Sequence, residues 1–360
     1  MNKTITVLPG DGIGPEITEQ AVKVLAATAN KFGHNFTFNY GLIGAAAIDR
    51  AGDPYPDATH ALCLNCDAIL FGAIGHPRFD NDPKARVRPE QGLLKMRKQL
   101  GLFANIRPVQ LFETLAHRSP LKKEIISGVD LVVVRELTGG IYFGEPRGRS
   151  EDGSVAFDTC VYSKSEIERI ARIAFKLALE REGKVTLVDK ANVLATSRLW
   201  RETVTELHLR EYPTIKLDFL FVDNAAMQLV TAPSNFDVIL TENMFGDILS
   251  DQASVLTGSI GLLPSASFGT GAPLFEPIHG SYPQAAGKNI ANPIATILSA
   301  AMMLSDAFGM KEESKLIYEA CNKAISDNFL TEDLVAPHLR HTHSKTTIQL
   351  GTYITNLIGV

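Results

Sequence analysis

The 360-residue sequence predicts an α/β protein built as two domains. Three observations predict it. Short apolar runs alternate with amphipathic helical stretches along the whole chain, four of those runs end in charged or amide residues, and the length exceeds one average domain. Composition is that of an ordinary soluble protein, and a net charge of −5 provides no basic field for nucleic acid. The longest apolar helix, residues 294–304, contains Thr296 and Ser299 and is too short to span a bilayer. Residues 4–8 read as a strand with no charged-then-apolar leader before them, so the cytoplasm is the expected compartment.

In chain order, the first strand runs into Pro9-Gly10-Asp11-Gly12-Ile13-Gly14-Pro15-Glu16 and then a helix with Ile17, Ala21, Val24 and Leu25 inward. The glycines resemble a dinucleotide fingerprint but miss it. The third glycine should fall at position 15, which is proline, and no acidic residue follows a second strand at the usual distance. An ordinary Rossmann fold is therefore not expected, although a glycine turn against a ligand is. Cys63 and Cys66 form a C-x-x-C on the wrong side of a strand for redox work, and His338, His341 and His343 lack a Cys or carboxylate partner. Both read as incidental.

The helix 88–100 carries Glu90, Leu93, Leu94 and Arg97 at i, i+3, i+4 and i+7. Leucines bracketed by charges fit a wall touching a ligand with apolar and anionic parts. Four strands then end in polar groups: Arg135 and Glu136; Asp189, Lys190 and Asn192; Asp223 and Asn224; Glu242 and Asn243. Ligands of open α/β sheets collect beyond such strand ends. Between them, residues 139–144 and 155–162 flank a turn-rich stretch and read as an antiparallel ribbon, a projecting β arm that a twin subunit would cover. Ser165-Glu166-Ile167-Glu168 reads as a capping box opening the next helix.

The richest stretch is 237–251. Residues 238–240 suit a buried strand, 243–246 a turn, and the helix from Asp247 puts Ile248, Leu249, Val255 and Leu256 on an apolar side. Asp247 and Asp251 leave one helix face, as hard oxygen donors for Mg²⁺ or Mn²⁺ do. Alone, the pair more readily suits an acid-favoured helix start with Asp251 solvated. The neighbours favour the cation: Arg97, Arg107 and Arg135 suit a small polyanion, and Lys190 near an ion suits a base with a lowered pKa. Finally, the glycine- and serine-rich loops 258–265, 276–281 and 286–293 suit a pyrophosphate held by backbone N–H groups.

These motifs together resemble the isocitrate/isopropylmalate dehydrogenase family of metal-dependent, decarboxylating 2-hydroxy-acid dehydrogenases. The resemblance rests on Gly10 to Glu16, Arg88-Pro89-Glu90-Gln91-Gly92-Leu93-Leu94, Ala104-Asn105-Ile106-Arg107-Pro108, Arg135-Glu136-Leu137-Thr138-Gly139-Gly140-Ile141-Tyr142, Asp189-Lys190-Ala191-Asn192 and the 237–251 stretch. It implies the family's two-domain fold, with 1–102 and 258–360 forming a cofactor-binding domain and 103–257 a dimerising domain for metal and substrate. It implies that Arg97, Arg107 and Arg135 hold the substrate's carboxylates and hydroxyl. Asp247 and Asp251, with Asp223 from a second copy, would ligate Mg²⁺ or Mn²⁺. Lys190, also from the second copy, would take the hydroxyl proton, and Tyr142 would help protonate the enolate carbon. Asn192 joins the substrate set. The active site would thus be shared in a homodimer.

Substrate choice is implied at Leu93 and Leu94, with Val193, meeting an isopropyl group, while Glu90 would repel the third carboxylate of isocitrate. The resemblance therefore implies NAD-dependent oxidative decarboxylation of 3-isopropylmalate in leucine biosynthesis. The alternative is a sister enzyme acting on tartrate, malate or homoisocitrate. For the cofactor it implies Ile13, His279, Gly280, Ser281 and Asn292 around the adenosine end. The sequence departs at Gln284, where many NAD-using members have aspartate and NADP-using members have lysine followed by tyrosine. Gln284 can still bond a ribose hydroxyl but cannot neutralise a 2′-phosphate, which implies NAD with weaker rejection of NADP. Tyr282 and His76 are further departures with no assigned role.

Overall fold

The computed structural model describes residues 1–80 and 87–359. Its chain falls into two compact units, Met1–Leu102 with Gly258–Val360, and Phe103–Thr257. Each is an α/β unit.

In the first unit the strand order is Asn35–Tyr40, Asn2–Gly10, Ala68–Ala73, Leu274–Pro277, Pro264–Gly269. All pairs are parallel except the last, where Ala266 faces Phe275 in antiparallel register. Ala68–Ala73 is buried along its whole length, as a central parallel strand covered on both faces must be. The helix Gly14–Phe32 buries Ile17, Ala21, Val24 and Leu25, the stripe expected from their spacing. It packs beside Ile294–Met302 and Thr347–Gly359. Cys63 is fully buried and burial pushes its thiol up to about 11, so the C-x-x-C is a packing feature with no thiolate.

The glycine loop serves the backbone more than a ligand. Gly12 is left-handed, at φ 59°, and a Cβ there would sit 2.0 Å from the Ser281 carbonyl oxygen. That approach lets the Ile13 N–H donate to the Ser281 oxygen at 2.9 Å. Asp11 is the pin beneath it. Its carboxylate accepts from the N–H groups of Ala45 (2.9 Å), Gly75 (3.0 Å) and Ala46 (3.1 Å) while only 5% exposed.

In the second unit the strand order is Leu102–Gln110, Asp130–Glu136, Val238–Thr241, Lys184–Asp189, Lys216–Phe221. The first pair is antiparallel and the others parallel, so the polar ends of four strands gather along one edge. Helix Lys164–Leu179 packs against Ala195–Glu211, and Asn243–Ser254 packs against both Asp130–Glu136 and Val222–Thr231.

Five local expectations are corrected here. The aspartate helix begins at Asn243, not Asp247, because Gly246 is used for close packing rather than for a turn. Ile248 and Val255 point outward, at 57% and 47% exposure, whereas Leu249 and Leu256 are buried. The capping box is Ser163 with Glu166, two residues earlier than the spacing suggested. The ribbon pairs only Gly148 with Phe157 and Arg149 with Ala156, since Gly140–Tyr142 forms a 3-10 turn against the Tyr162 ring. The Phe219–Val222 run also ends one residue early, and Asp223 lies in the first turn of helix Val222–Thr231.

Replacing Asp11 with Ala would leave three N–H groups without their acceptor in the protein interior. We expect a loss of about 2–4 kcal/mol in urea unfolding, and a loss below about 1 kcal/mol would show that water replaces the carboxylate.

Candidate active site

The antiparallel register sets Asn105 opposite Arg135, and the period of two places Arg107 on the same face. Neutral side chains orient both cations. Arg107 donates from Nε to Asn105 Oδ1 at 2.7 Å and from Nη1 to Ser250 Oγ at 2.6 Å. Arg135 donates from Nε and Nη2 to Asn243 Oδ1, at 3.0 and 2.8 Å, and from Nη1 to Asp247 Oδ1. Asn243 is itself fixed, through its amide to the Gly139 oxygen and through its N–H to the Tyr162 hydroxyl. Gly246 makes room for the Arg135 stem, because a Cβ would lie 2.7 Å from Arg135 Cγ.

Helix Asn243–Ser254 brings Asp247 and Asp251 to these arginines. Asp247 shares its two oxygens between Arg135 and Tyr142, whose hydroxyl donates to Oδ2 at 3.0 Å. Asp251 is 3.4 Å from Arg107 Nη1 and keeps most of its carboxylate exposed. Burial first, and then the negative Asp247, hold the Tyr142 phenol above its ordinary pKa, so it keeps its proton.

Lys190 and Asp223 form a separate pair at 2.5 Å, which lowers the Asp223 pKa. Among the described residues neither bonds to Tyr142, Asp247 or Asp251, and no group of three or more His, Cys, Asp or Glu side chains is arranged to hold a metal. Asn192 and Val193 follow in an exposed turn held by Asp189, which accepts from the Ala191 N–H and from both forks of Arg201. Sequence reasoning missed the orienting roles of Asn105, Asn243, Ser250 and Arg201; only the spacing of two from Arg107 (Asn105) or the place after a strand (Asn243) offered a signal.

In the first unit, helix Pro89–Gln99 exposes Glu90, leaves Leu93 and Leu94 half-buried and buries Arg97. Arg97 already holds a resident carboxylate, donating from Nη2 to Glu276 Oε1 at 2.7 Å, while its Nε is buried without a partner. Glu90 and Ser281 meet over Gly75, where a Cβ would stand 2.9 Å from Glu90 Oε1 and 3.4 Å from Ser281 Oγ. The same unit contains a cavity of about 470 Å³. Ile13, Ile260 and Ile290 supply apolar walls, and His279, Gly280 and Asn292 polar ones. His279 Nδ1 lies 3.0 Å from the Gly280 oxygen, and Nε2 is buried with no partner. A carbonyl can only accept, so Nδ1 carries the proton and Nε2 is a bare acceptor. Burial keeps that ring neutral. Ser281 is buried behind the loop, and Gln284 is exposed in the turn Pro283–Ala285 and does not line the cavity. The expected backbone donors are partly consumed, since Gly261 N–H goes to Ser259 Oγ and Ile294 N–H to Asn292 Oδ1.

Comparison with known proteins matches residues 4–352 to the isocitrate/isopropylmalate dehydrogenase family model. The chain belongs to the isocitrate/isopropylmalate dehydrogenase family. It is 57% identical to 3-isopropylmalate dehydrogenase of Bacillus subtilis over 338 residues, covering 93% of this chain and 92% of the relative. It is 54% identical to the enzyme of that name from Bacteroides fragilis, covering 93% of each. Among solved structures, isocitrate dehydrogenase from Methylococcus capsulatus superposes with a TM-score of 0.86 at 36% identity, over 99% of this chain and 100% of that one. A beta-decarboxylating dehydrogenase from Thermococcus kodakarensis gives 0.78 at 34% identity, over 99% and 96%. As a member of this family the protein is an oxidoreductase, a decarboxylating dehydrogenase acting on a small molecule.

Beside this site Glu242 is buried with Oε2 unpartnered, and burial with the like charge of Glu136 raises its pKa to about 7. The folded chain therefore keeps a proton that the unfolded chain has already lost. Its contribution to stability is full below about pH 4.5 and is lost as pH rises through about 7. The unfolding free energy from urea titration should fall by up to roughly 3 kcal/mol between pH 5 and pH 8 in the wild type, and by that much less in Glu242→Gln. Parallel curves for the two proteins would refute the assignment.

Proposed function

We propose that this chain oxidises and decarboxylates 3-isopropylmalate, the compound its relatives are named for, with NAD and Mg²⁺ or Mn²⁺, as a step of leucine biosynthesis. The observation that carries this is Asp247, whose oxygens are shared by a buried arginine and a protonated tyrosine beside a second carboxylate. Two hard carboxylates on one helix face fit a divalent cation, which accepts one or two such ligands and fills its remaining positions from water and substrate. The cavity fits an adenine nucleotide, since the bare His279 Nε2 matches an exocyclic amino group and the isoleucines match a ring face. When bound, NAD supplies the hydride acceptor and the cation supplies positive charge where electron density collects as CO₂ departs.

The chain's own groups do the rest. Arg107 and Arg135, locked by Asn105, Ser250 and Asn243, bind and orient the substrate's carboxylates, with Arg97 assigned to the same task. Tyr142 Oη holds a proton for the enolate carbon, which its raised pKa favours. Lys190 Nζ, once it has given up its own proton, would receive the hydroxyl proton, and Asp223, which accepts from Lys190 at 2.5 Å, would be available as a further metal ligand. We assign Lys190, Asn192, Val193 and Asp223 to the active site of a second copy. The dimer reading is supported by an apolar face on two packed helices, where Met227, Val230, Ile248 and Val255 are 60%, 41%, 57% and 47% exposed. The exposed ribbon, with Phe157 on it, is assigned to the same partner. No helix among the described residues is long and apolar enough to cross a membrane, and the cytoplasm is the proposed compartment.

Leu93 and Leu94 are assigned to the isopropyl group. Burying about three carbons at ~0.8 kcal/mol each gives about 2 kcal/mol, a roughly 50-fold preference over malate. Purified protein should reduce NAD with 3-isopropylmalate, and chelator should abolish the rate until Mg²⁺ is restored. Leu94→Ala should reduce the preference over malate by about tenfold; an unchanged preference would place the pocket elsewhere. Ile248→Asp should convert the sedimenting dimer to monomer and remove activity together, because two copies would complete each site. An active monomer would refute the shared site.

A further inference from the structure

Tyr162 has no role in the chemistry assigned above, yet it is buried directly behind the site, at 6% exposure. Its hydroxyl accepts from the Asn243 N–H at 3.0 Å, across 81 residues of chain. Its ring fills the space that side chains at Gly139 and Gly140 would take. A Cβ on Gly139 would stand 2.7 Å from Tyr162 Cε1, and one on Gly140 would strike the hydroxyl. The Trp200 ring meets it edge-on, with 5.3 Å between centroids. The adjoining Val161 oxygen accepts from the Gly140 N–H at 3.0 Å, so the turn Gly140–Tyr142 is held by backbone as well.

The hydroxyl stands in for a helix cap. The opening N–H groups of a helix have no acceptor within it. Glu242 occupies the cap position of Asn243–Ser254 but makes no side-chain bond to the helix, and Tyr162 supplies the acceptor from elsewhere. Burial, and then the carboxylates of Glu136 and Glu242, push its phenol far up, so it stays neutral. From this anchor two paths lead to the site. Asn243, fixed at its N–H, presents Oδ1 to Arg135 Nε and Nη2 and donates from Nδ2 to the Gly139 oxygen. The Gly140–Tyr142 turn ends in the phenol that donates to Asp247, which also accepts from Arg135.

These contacts form a closed ring that begins and ends at Tyr162. We propose that Tyr162 is a positioning residue for the reaction: its hydroxyl sets Arg135 for a substrate carboxylate through Asn243, and its ring sets Tyr142 for proton transfer through Gly139 and Gly140. This inference rests on the reading of Arg135 and Tyr142 as the carboxylate-binding and proton-donating groups.

The hydroxyl and the ring can be removed separately. In Tyr162→Phe, the calorimetric dissociation constant of 3-isopropylmalate with Mg²⁺, and its KM, should rise about fivefold to tenfold while kcat changes less than about twofold. Tyr162→Leu, which also removes the ring, should lower kcat by at least about tenfold. Asn243→Ala should weaken binding as Tyr162→Phe does, and the double variant should be little worse than Asn243→Ala alone, because the hydroxyl reaches Arg135 only through Asn243. Additive losses, or a lowered melting temperature with binding unmoved, would show that the hydroxyl serves stability alone and would overturn the proposal.

Solvent exchange of the Arg135 Nε–H, followed by NMR in protein with isotope-labelled arginine, reads the same link with no substrate present. It should quicken about tenfold in Tyr162→Phe, and an unchanged rate rejects the link. Faster exchange in a protein that does not bind 3-isopropylmalate would support the positioning and reject the substrate assignment. Gly139→Ala gives a second approach if the phenylalanine variant does not fold. Its backbone is extended and accepts alanine, whose Cβ presses on the Tyr162 ring, so binding should weaken in the same direction. Unchanged binding there counts against the proposal.

Discussion

The second unit depends on two buried guanidinium groups that have no water to solvate them. Arg107 and Arg135 lie beneath helix Asn243–Ser254, and leaving either unpaired there would cost several kcal/mol. The chain compensates twice, with neutral oxygens from Asn105, Asn243 and Ser250, and with Asp247 and Asp251 on the overlying helix. The same electrostatic attraction therefore seats the helix and assembles the constellation. A ligand carboxylate reaching Arg135 would have to share it with Asp247, so any cation bound at Asp247 and any anion bound at Arg135 would be linked. This linkage follows from one carboxylate having two oxygens, of which Tyr142 already takes one.

The first unit solves a different problem, which is to build an apolar recess with a few aimed polar atoms. Gly12 and Asp11 fix the glycine loop against the Ser281 and Gly75 backbones, and this carries Ile13 into the recess beside His279. His279 then presents a single unprotonated nitrogen because its other nitrogen is tied to a carbonyl. The resulting selectivity comes from backbone geometry as much as from side-chain type. That Glu90 converges with Ser281 on Gly75 shows that the helix assigned to substrate and the loop assigned to cofactor meet within one unit.

Much of this was legible in residue types and periods. Alternating apolar runs gave the strands, and the stripe of Ile17, Ala21, Val24 and Leu25 gave its helix, because a central sheet imposes both patterns. The isocitrate/isopropylmalate dehydrogenase resemblance followed from motifs in fixed order. What escaped has physical causes. Asn243 and Gly246 have the chemistry of a turn, yet one is needed for its amide and the other for its missing Cβ, so the helix starts four residues early. Ile248 is as apolar as Leu249, and periodicity cannot tell a side covering its own core from one left open. Asn105 and Ser250 are neutral and far apart in sequence, so nothing short of the fold reveals that both orient Arg107. Glu332 and Arg340 line the recess from a stretch in which no motif marks them.

Asp333 clamps the recess of the first unit, its Oδ2 accepting from Ser259 Oγ at 2.6 Å and Asn292 Nδ2 at 3.0 Å, and this bears on the order in which the molecule matures. Ser259 and Asn292 are fastened by a carboxylate that emerges from the ribosome after both of them, and Arg340 later still. Ile13, which lines the same recess, precedes them all in the chain. The recess thus joins segments far apart in sequence, and a nascent chain that ends before Asp333 holds the whole second unit but not this clamp.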